Sequence, residues 1–376
     1  MVEIIMSIVV AFGITFYAIP AIIHAAQEKK LYDYPDERKW HHQPIPSLGG
    51  IGIFSGFITA FLLTASFEGE IIRFQYLLAA ALVIFFVGLK DDLLNISPLK
   101  KFLGQILAAS IISLKGGLVI RSMEGLLGIY ELPEMAAYLL TILTIVVIIN
   151  AYNLIDGIDG LAAGLSIISS LFFALFFALN GDFAFACMAT ALIGALIAFL
   201  IFNAQPAKIF MGDTGSMMLG LLHAMMAIQF IATAPASPVL SVSNAPAIAF
   251  AIMFVPLFDT LRVFSIRMLQ GSSPFTPDRN HIHHILLRYR LSHARVATIL
   301  CATGIIMPIF IFSLKSFGIN SMMAIMAALG FSCVGILVWR YRVITSTRVV
   351  KGNITPGKSK VTKVRIMPAV GRKTAN

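Results

Sequence analysis

Charge is so sparse along this 376-residue chain that it falls into long apolar runs separated by short polar stretches. Only 12% of the residues are charged, 58% are hydrophobic, and the mean hydropathy is +0.88. A soluble domain carries about 25% charged residues, so the surrounding solvent is lipid. A run of about 20 apolar residues crosses the hydrocarbon layer as a helix, because backbone groups in lipid must be satisfied within the segment. The runs predict an all-α fold, a polytopic membrane helical bundle with about eleven transmembrane helices. They lie near 4–24, 48–67, 73–90, 99–115, 136–152, 161–179, 183–202, 214–233, 244–268, 295–314 and 319–339. The fourth is the weakest, since Lys100 and Lys101 open it. The start "MVEIIMSIVV" lacks the basic region and small-residue cleavage site of a secretory signal, so a cleaved leader is not expected. Cys187, Cys301 and Cys333 fall inside runs and suggest no disulfide framework. Residues 1–341 read as one integral membrane domain and 342–376 as a disordered basic tail.

Lysine and arginine set the expected orientation. Lys29, Lys30, Arg38 and Lys39 follow the first run, which argues for an amino terminus outside and this loop in the cytosol. Alternation through eleven spans leaves only Arg73, Lys115, Arg121 and Lys315 outside, so 28 − 4 = 24 basic residues face the cytosol. Deleting the fourth span would scatter that charge. The carboxyl terminus is then cytosolic. From Arg342 onward the tail has nine basic and no acidic residues, which suits anionic lipid and does not imply nucleic acid.

Five polar motifs fall on the predicted cytosolic face: "RKWHHQPIPSLGG" (38–50), "GLKDDLLN" (88–95), "NLIDGIDG" (153–160), "AKIFMGDTGS" (207–216) and "PDRNHIHHILLRYR" (277–290). The outer loops hold no comparable cluster, so the motifs read as one site. Ionisable residues at membrane depth are costly and mark function more often than packing. Asp156 and Asp159 are spaced i, i+3, which on a helix places both on one face, with Gly157 and Gly160 allowing close approach. Asp91 and Asp92 are adjacent, diverge by about 100° on a helix and so face different partners. In "GDTGS" Gly212 permits a tight turn, Asp213 offers a hard oxygen, and Thr214 or Ser216 is placed to cap the next helix. His281 and His284 share a helical face, but no Cys or Glu lies nearby to complete a zinc site. Imidazolium facing phosphate suits them better. His24 and His223 read as packing residues, and Asp259 with Arg262 as an i, i+3 ion pair.

Carboxylate oxygens of this kind suit Mg²⁺, which takes few protein ligands and completes its shell with substrate phosphates. Lys39, Arg38, Arg279 and the histidines can hold phosphate charge. Metal-assisted phosphoryl transfer between a soluble nucleotide and a membrane lipid is the chemistry these residues imply. A transporter, the alternative from another class, should show charged groups near the bilayer midplane and paired repeats. Neither is found.

"KDD", "NLIDGIDGLAAG", "FMGDTGS" and "RNHIHH", in this order, resemble the polyprenyl-phosphate N-acetylhexosamine-1-phosphate transferases, across about residues 1–341. "PDRNHIHH" and "PIPSLGG" are similar to the GlcNAc-1-phosphate branch more than to the MurNAc-pentapeptide branch. The resemblance implies a multi-pass protein of the cytoplasmic (inner) membrane with its site on the cytosolic face. It implies attack by undecaprenyl phosphate on the sugar-proximal phosphorus of UDP-GlcNAc, or of another UDP-N-acetylhexosamine, releasing UMP. The lipid-linked pyrophosphoryl sugar would prime a cell-surface glycan such as O-antigen. By the same resemblance Asp213 is the Mg²⁺ ligand, with Asn153 a second contact. Asp91 and Asp92 match the catalytic pair, and Asp156 and Asp159 shape the nucleotide and metal pocket. Lys39, His41, Asn153, Arg279, His281, His283 and His284 contact substrate. The sequence leaves open the sugar, the pathway, a covalent intermediate and whether the protein pairs as a homodimer.

Overall fold

In the computed structural model, residues 1–31, 45–67, 70–271 and 280–352 are described, the side chains as far as residue 344. The chain runs through α1 (Val2–Glu28), α2 (Gly49–Thr64), α3 (Ile71–Leu94), α4 (Pro98–Leu114), β1 (Ser122–Leu126), β2 (Ile129–Glu131), α5 (Glu134–Ile155), α6 (Leu161–Leu179) and α7 (Phe183–Asn203). It continues through α8 (Gly212–Thr233), α9 (Ala245–Ile252), α10 (Phe254–Leu269), α11 (Ile282–Leu287), α12 (His293–Ser313) and α13 (Ile319–Gly352). Every expected apolar run is therefore helical, but not every one is a full span. Among the described residues eight helices are long and apolar enough to cross a membrane, and the α9–α10 pair makes a ninth if its two halves form one span. At 16 residues, α2 reaches only about 24 Å, short of the roughly 30 Å hydrocarbon layer. With 17 residues and two lysines in its first turns, α4 is also short. Eleven complete spans is thus more than the helix lengths support.

Three further departures have local causes. The run 244–268 is not one helix: α9 and α10 meet at a 91° bend. Pro256, in the first turn of α10, has no N–H for the Ile252 carbonyl, and its ring would clash with that carbonyl in a continuous helix. The loop before α5 holds a two-stranded antiparallel hairpin pairing Ser122 with Glu131 and Leu126 with Ile129, so the fold is not purely α. Left-handed backbone at Leu127 and Gly128 makes its turn, and the same conformation at Glu124 and Gly125 marks an irregularity within β1. Last, α13 runs to Gly352, beyond the span expected at 319–339.

The bundle is built around α8, which is almost wholly buried and packs on α2, α3, α5 and α6. Its N-terminal turn meets two neighbours backbone to backbone. A Cβ on Gly50 would lie 2.2 Å from the Gly215 nitrogen, and one on Gly88 would lie 2.5 Å from Thr214 Cα. Small residues permit such close packing in lipid, where apolar surface alone drives no association. This crossing brings the end of α3, the start of α2 and the start of α8 to one place, beside the end of α5.

Candidate active site

Gly212 opens α8 with φ +72°, and a Cβ there would lie 2.1 Å from the Ser47 carbonyl oxygen. Beyond it the first N–H groups of the helix have no partner within it. Asp92, in the last turn of α3, receives them. Its Oδ1 accepts from the Asp213 N–H at 2.7 Å, and its Oδ2 accepts from the Thr214 N–H at 3.0 Å and the Thr214 hydroxyl at 2.5 Å. The cap therefore comes from another helix. Neither Thr214 nor Ser216 caps α8, because Gly212 already lies inside the helix and Ser216 Oγ donates back to the Gly212 carbonyl at 2.9 Å. A carboxylate at this position also complements the positive end of the helix dipole.

Asp91 faces away from Asp92, as adjacent helical positions must. Its Oδ1 accepts from the Ile96 N–H at 2.8 Å, and its Oδ2 lies 2.6 Å from Lys101 Nζ. The same ammonium is 2.5 Å from Asp213 Oδ2. Lys101 stands in the first turn of α4, turned back toward α3 because Asn95 ends α3 in the left-handed region and Pro98 starts the next helix at once. The other Asp213 oxygen accepts from Asn153 Nδ2 at 3.1 Å, and Asn153 also donates to Ser216 Oγ at 2.9 Å. One lysine thus bridges two carboxylates on two helices, and one asparagine fixes the second of them.

Asp156 and Asp159 do not share a helical face. Helix α5 ends at Ile155, Asp156 is its C-cap, and 156–160 is a turn closed by Gly160 at φ +75°. Glycines at 157 and 160 break the helix that the i, i+3 spacing suggested. Among the described residues Asp156 makes no hydrogen bond or ion pair. Burial pushes its carboxyl up to about 7, and the negative charges of Asp213, Asp92 and Asp159 push the same way. Asp159 lies 3.6 Å from Nδ1 of His293. Asn203 anchors the turn, accepting from the Gly160 N–H at 2.9 Å and donating to the Ile209 carbonyl at 2.9 Å. It thereby joins the "NLIDGIDG" and "AKIFMGDTGS" segments.

The histidines arrive on α11, which begins only at Ile282, so His281 precedes the helix and shares no face of it with His284. Its Nδ1 is 3.0 Å from Asp259 Oδ2, and Asp259 also pairs with Arg262 at 2.8 Å, as the sequence spacing suggests. His283 is 1% exposed and packs on the aspartate turn, where a Cβ on Gly157 would lie 2.5 Å from its Nε2. Burial, reinforced by His284, lowers His283 to about 3, so it is neutral at physiological pH. His284 is half-buried. His223 is a packing residue: it stacks on Tyr152 at 4.5 Å and shares its ring nitrogens with the Leu219 and Ser166 carbonyls and Ser170. Lys39, His41 and Arg279, with Arg38, lie outside the described residues.

Among the described residues no three His, Cys, Asp or Glu side chains form a ready metal cage. Mg²⁺ needs none, since one or two carboxylates with substrate phosphates and water suffice. Asp213 fits that demand. Its two oxygens are held from either side by Asn153 and Lys101, and the Lys101 ammonium shows that a cation is accepted there. The sequence reading passes over Lys101, Asn203 and His293. Lys101 had a signal, a lone cationic pair opening an apolar run just after two aspartates; the other two had none.

The model of glycosyl transferase family 4 matches residues 74–231, from α3 through α8 and hence all three aspartate-bearing segments. Decaprenyl-phosphate N-acetylglucosaminephosphotransferase of Mycobacterium tuberculosis is 35% identical over 310 residues, 76% of either chain. The chain belongs to glycosyl transferase family 4. A probable undecaprenyl-phosphate N-acetylglucosaminyl 1-phosphate transferase of Bacillus subtilis is 33% identical, over 84% of this chain and 86% of its own. Undecaprenyl-phosphate alpha-N-acetylglucosaminyl 1-phosphate transferase of Yersinia pestis is 32% identical, over 69% and 70%. This family 4 member is therefore an enzyme and a multi-pass membrane protein, and the residues around the N-terminus of α8 are its candidate active site.

Proposed function

We propose that the protein transfers GlcNAc-1-phosphate from UDP-GlcNAc to undecaprenyl phosphate, at a Mg²⁺-dependent site facing the cytosol. The observation that carries this reading is the pairing of Asp213 with Asn153 and Lys101 at the start of α8. There an anionic oxygen and an ammonium stand side by side, as a metal–pyrophosphate substrate requires. The named relatives support the GlcNAc-1-phosphate moiety, and two chain lengths of acceptor occur among their names. The orientation is supported by Lys29, Lys30, Arg38 and Lys39, which follow α1 in the sequence.

In the proposed reaction an oxygen of the lipid phosphate attacks the sugar-proximal phosphorus, the bond from that phosphorus to the bridging oxygen breaks, and UMP leaves with the electron pair. A phosphomonoester has a second pKa near 6, so the attacking oxygen carries no proton at neutral pH. Asp91 therefore has nothing to remove, and its hydrogen bonds assign it another task. With one oxygen on the Ile96 N–H and the other on Lys101, it aims the ammonium. Asp92 spends both oxygens on the first turn of α8 and so orients Asp213. Mg²⁺, held by Asp213 with the Asn153 amide oxygen, would neutralise pyrophosphate charge. Positioning and charge neutralisation account for the rate, as in other phosphoryl transfers.

The test is UMP release by purified protein with undecaprenyl phosphate and a panel of UDP-sugars, with and without Mg²⁺. UDP-GlcNAc should be the best donor, and release should stop when the metal is chelated. Preference for UDP-GalNAc would change the sugar, and metal-independent release would remove the cation from the reading. Cysteine labels placed at 40 and 275 should react only from the cytosolic side, and one at Ser241 only from outside.

A further inference from the structure

We infer that Asp259 is a positioning residue for the reaction proposed above, fixing His281 with its Nδ1 proton on the carboxylate and its Nε2 turned to the ligand. Asp259 is 1% exposed in α10. Its Oδ2 lies 3.0 Å from His281 Nδ1, and its Oδ1 accepts from the Ile282 N–H at 3.0 Å and from Arg262 Nη2 at 2.8 Å. That guanidinium nitrogen also donates to the Asn280 carbonyl at 2.5 Å. One carboxylate and one guanidinium from a single helix thus hold residues 280, 281 and 282, the last being the first residue of α11.

The chemistry follows from the donor inventory. An ionised carboxylate has no hydrogen to give, so the shared proton must sit on Nδ1. Neutral His281 then keeps a lone pair on Nε2, and protonated His281 has a second N–H there. Its ring lies nearly parallel to His283, at 11° and 5.8 Å between centroids, so rotation about its bonds is confined. In metal and hydrolase sites the group behind a histidine sets which nitrogen works. Here the break before α10 brings that group to the histidine segment, because the bend turns α10 away from the line of α9.

Asp259→Asn keeps the volume and inverts the proton. With its oxygen retained on Ile282 and Arg262, the amide nitrogen faces Nδ1 and donates to it, which moves the imidazole proton to Nε2. If His281 acts through Nε2, kcat should fall about 10–100-fold while KM for the UDP-sugar moves by less than about threefold. Combined with His281→Ala, the substitution should cost nothing further. Full additivity would show that Asp259 serves only to hold the fold, and would overturn the inference. Ring ¹⁵N NMR of the intact protein in nanodiscs at pH 8 gives a readout independent of turnover, with His281 assigned by the signal lost in His281→Gln. The Nδ1–H tautomer is expected in the unsubstituted protein, and the Nε2–H tautomer would also overturn the inference. That measurement decides even if Asp259→Asn fails to assemble. Absence of UMP release from the unsubstituted protein would instead sink the functional reading and leave the tautomer result standing.

Discussion

The two ends of α8 carry polar clusters of similar size and opposite balance. Near its C-terminal end, Arg73 donates to Glu70 at 3.1 Å, Gln229 at 2.5 Å and the Gly116 carbonyl at 3.2 Å, and lies over the Phe185 ring at 5.6 Å. Gln229 passes the connection on to Asp182 at 2.7 Å, and Asp182 also caps α7 through the Phe185 N–H. Burial raises the Asp182 carboxyl, while Gln229, Phe185 and Arg73 oppose the rise. Every group there answers another. About 24 Å away along the helix, at the N-terminal end, Asp91 and Asp213 share the Lys101 ammonium, Asp92 caps the helix, and Asp156 lies beside Asp92 and Asp213 with no partner among the described residues. A closed network holds helices together; an unbalanced one holds a charge in reserve for something that arrives. The contrast explains why one polar end of a membrane bundle can be structural and the other a site.

The largest test of that contrast is Asp213→Asn. It preserves shape, removes the anionic oxygen between Asn153 and Lys101, and should lower turnover by on the order of 10³-fold, the scale on which single charged groups act in phosphoryl transfer. The Mg²⁺ requirement should rise in parallel, measured as the concentration for half-maximal UMP release, with normal expression. Retained activity at limiting Mg²⁺ would mean that the imbalance is not where the metal acts.

Asp156→Asn should act next most strongly, and its signature is pH. The native carboxyl titrates near 7 against an ordinary value of 3.8. The folded, ligand-free protein therefore binds more protons than the unfolded chain between those values. Its stability from this group is complete below about 4 and is lost as pH rises through about 7. Thermal midpoints without substrate should fall from pH 5 to pH 8, and the substitution should flatten that slope. An unchanged slope would place the excess charge elsewhere.

Much of this contrast is legible in the sequence. In an apolar background each aspartate and histidine stands out, and the order of the motifs is enough to group Asp91, Asp92, Asn153, Asp156 and Asp213. What the sequence hides depends on direction. Nothing in "GDTGS" says that the cap of α8 comes from Asp92 rather than Thr214, because capping across helices leaves no local pattern. The i, i+3 spacing of Asp156 and Asp159 suggests a helix, but two glycines decide for a turn. Lys101 reads as a flaw in a weak span until Pro98 is seen to fold α4 back on α3. The bend at Met253 hides in an unbroken apolar run, where Pro256 is its only mark.

Arg73→Gln probes the balanced end. It should cost stability rather than chemistry, about 1–3 kcal/mol for the buried partners left unsatisfied, read as a lower thermal midpoint in detergent. Turnover of the folded fraction should stay within about twofold, since that end lies a helix length from the site. A selective loss of turnover at unchanged stability would show that the two ends communicate.

The smallest effect is expected from removing the residues after Gly352, and it bears on the comparison directly. That segment holds Lys358, Lys360, Lys363, Arg365, Arg372 and Lys373 and no acidic residue. If these cations were the missing partners of the aspartates, the imbalance at the N-terminal end of α8 would be false. Their expected role is attraction to anionic lipid, about 1 kcal/mol for each residue near the surface and less as salt screens it. None of the motif residues lies beyond Gly352, and the truncation leaves α13 whole. With both substrates saturating in detergent, the truncated enzyme should release UMP within a few-fold of the intact rate, and its Mg²⁺ requirement should not change. A loss of turnover accompanied by a shifted Mg²⁺ requirement, in a well-expressed and folded truncation, would mean that the tail supplies charge to Asp156 and its neighbours. The N-terminal end would then be as closed as the other.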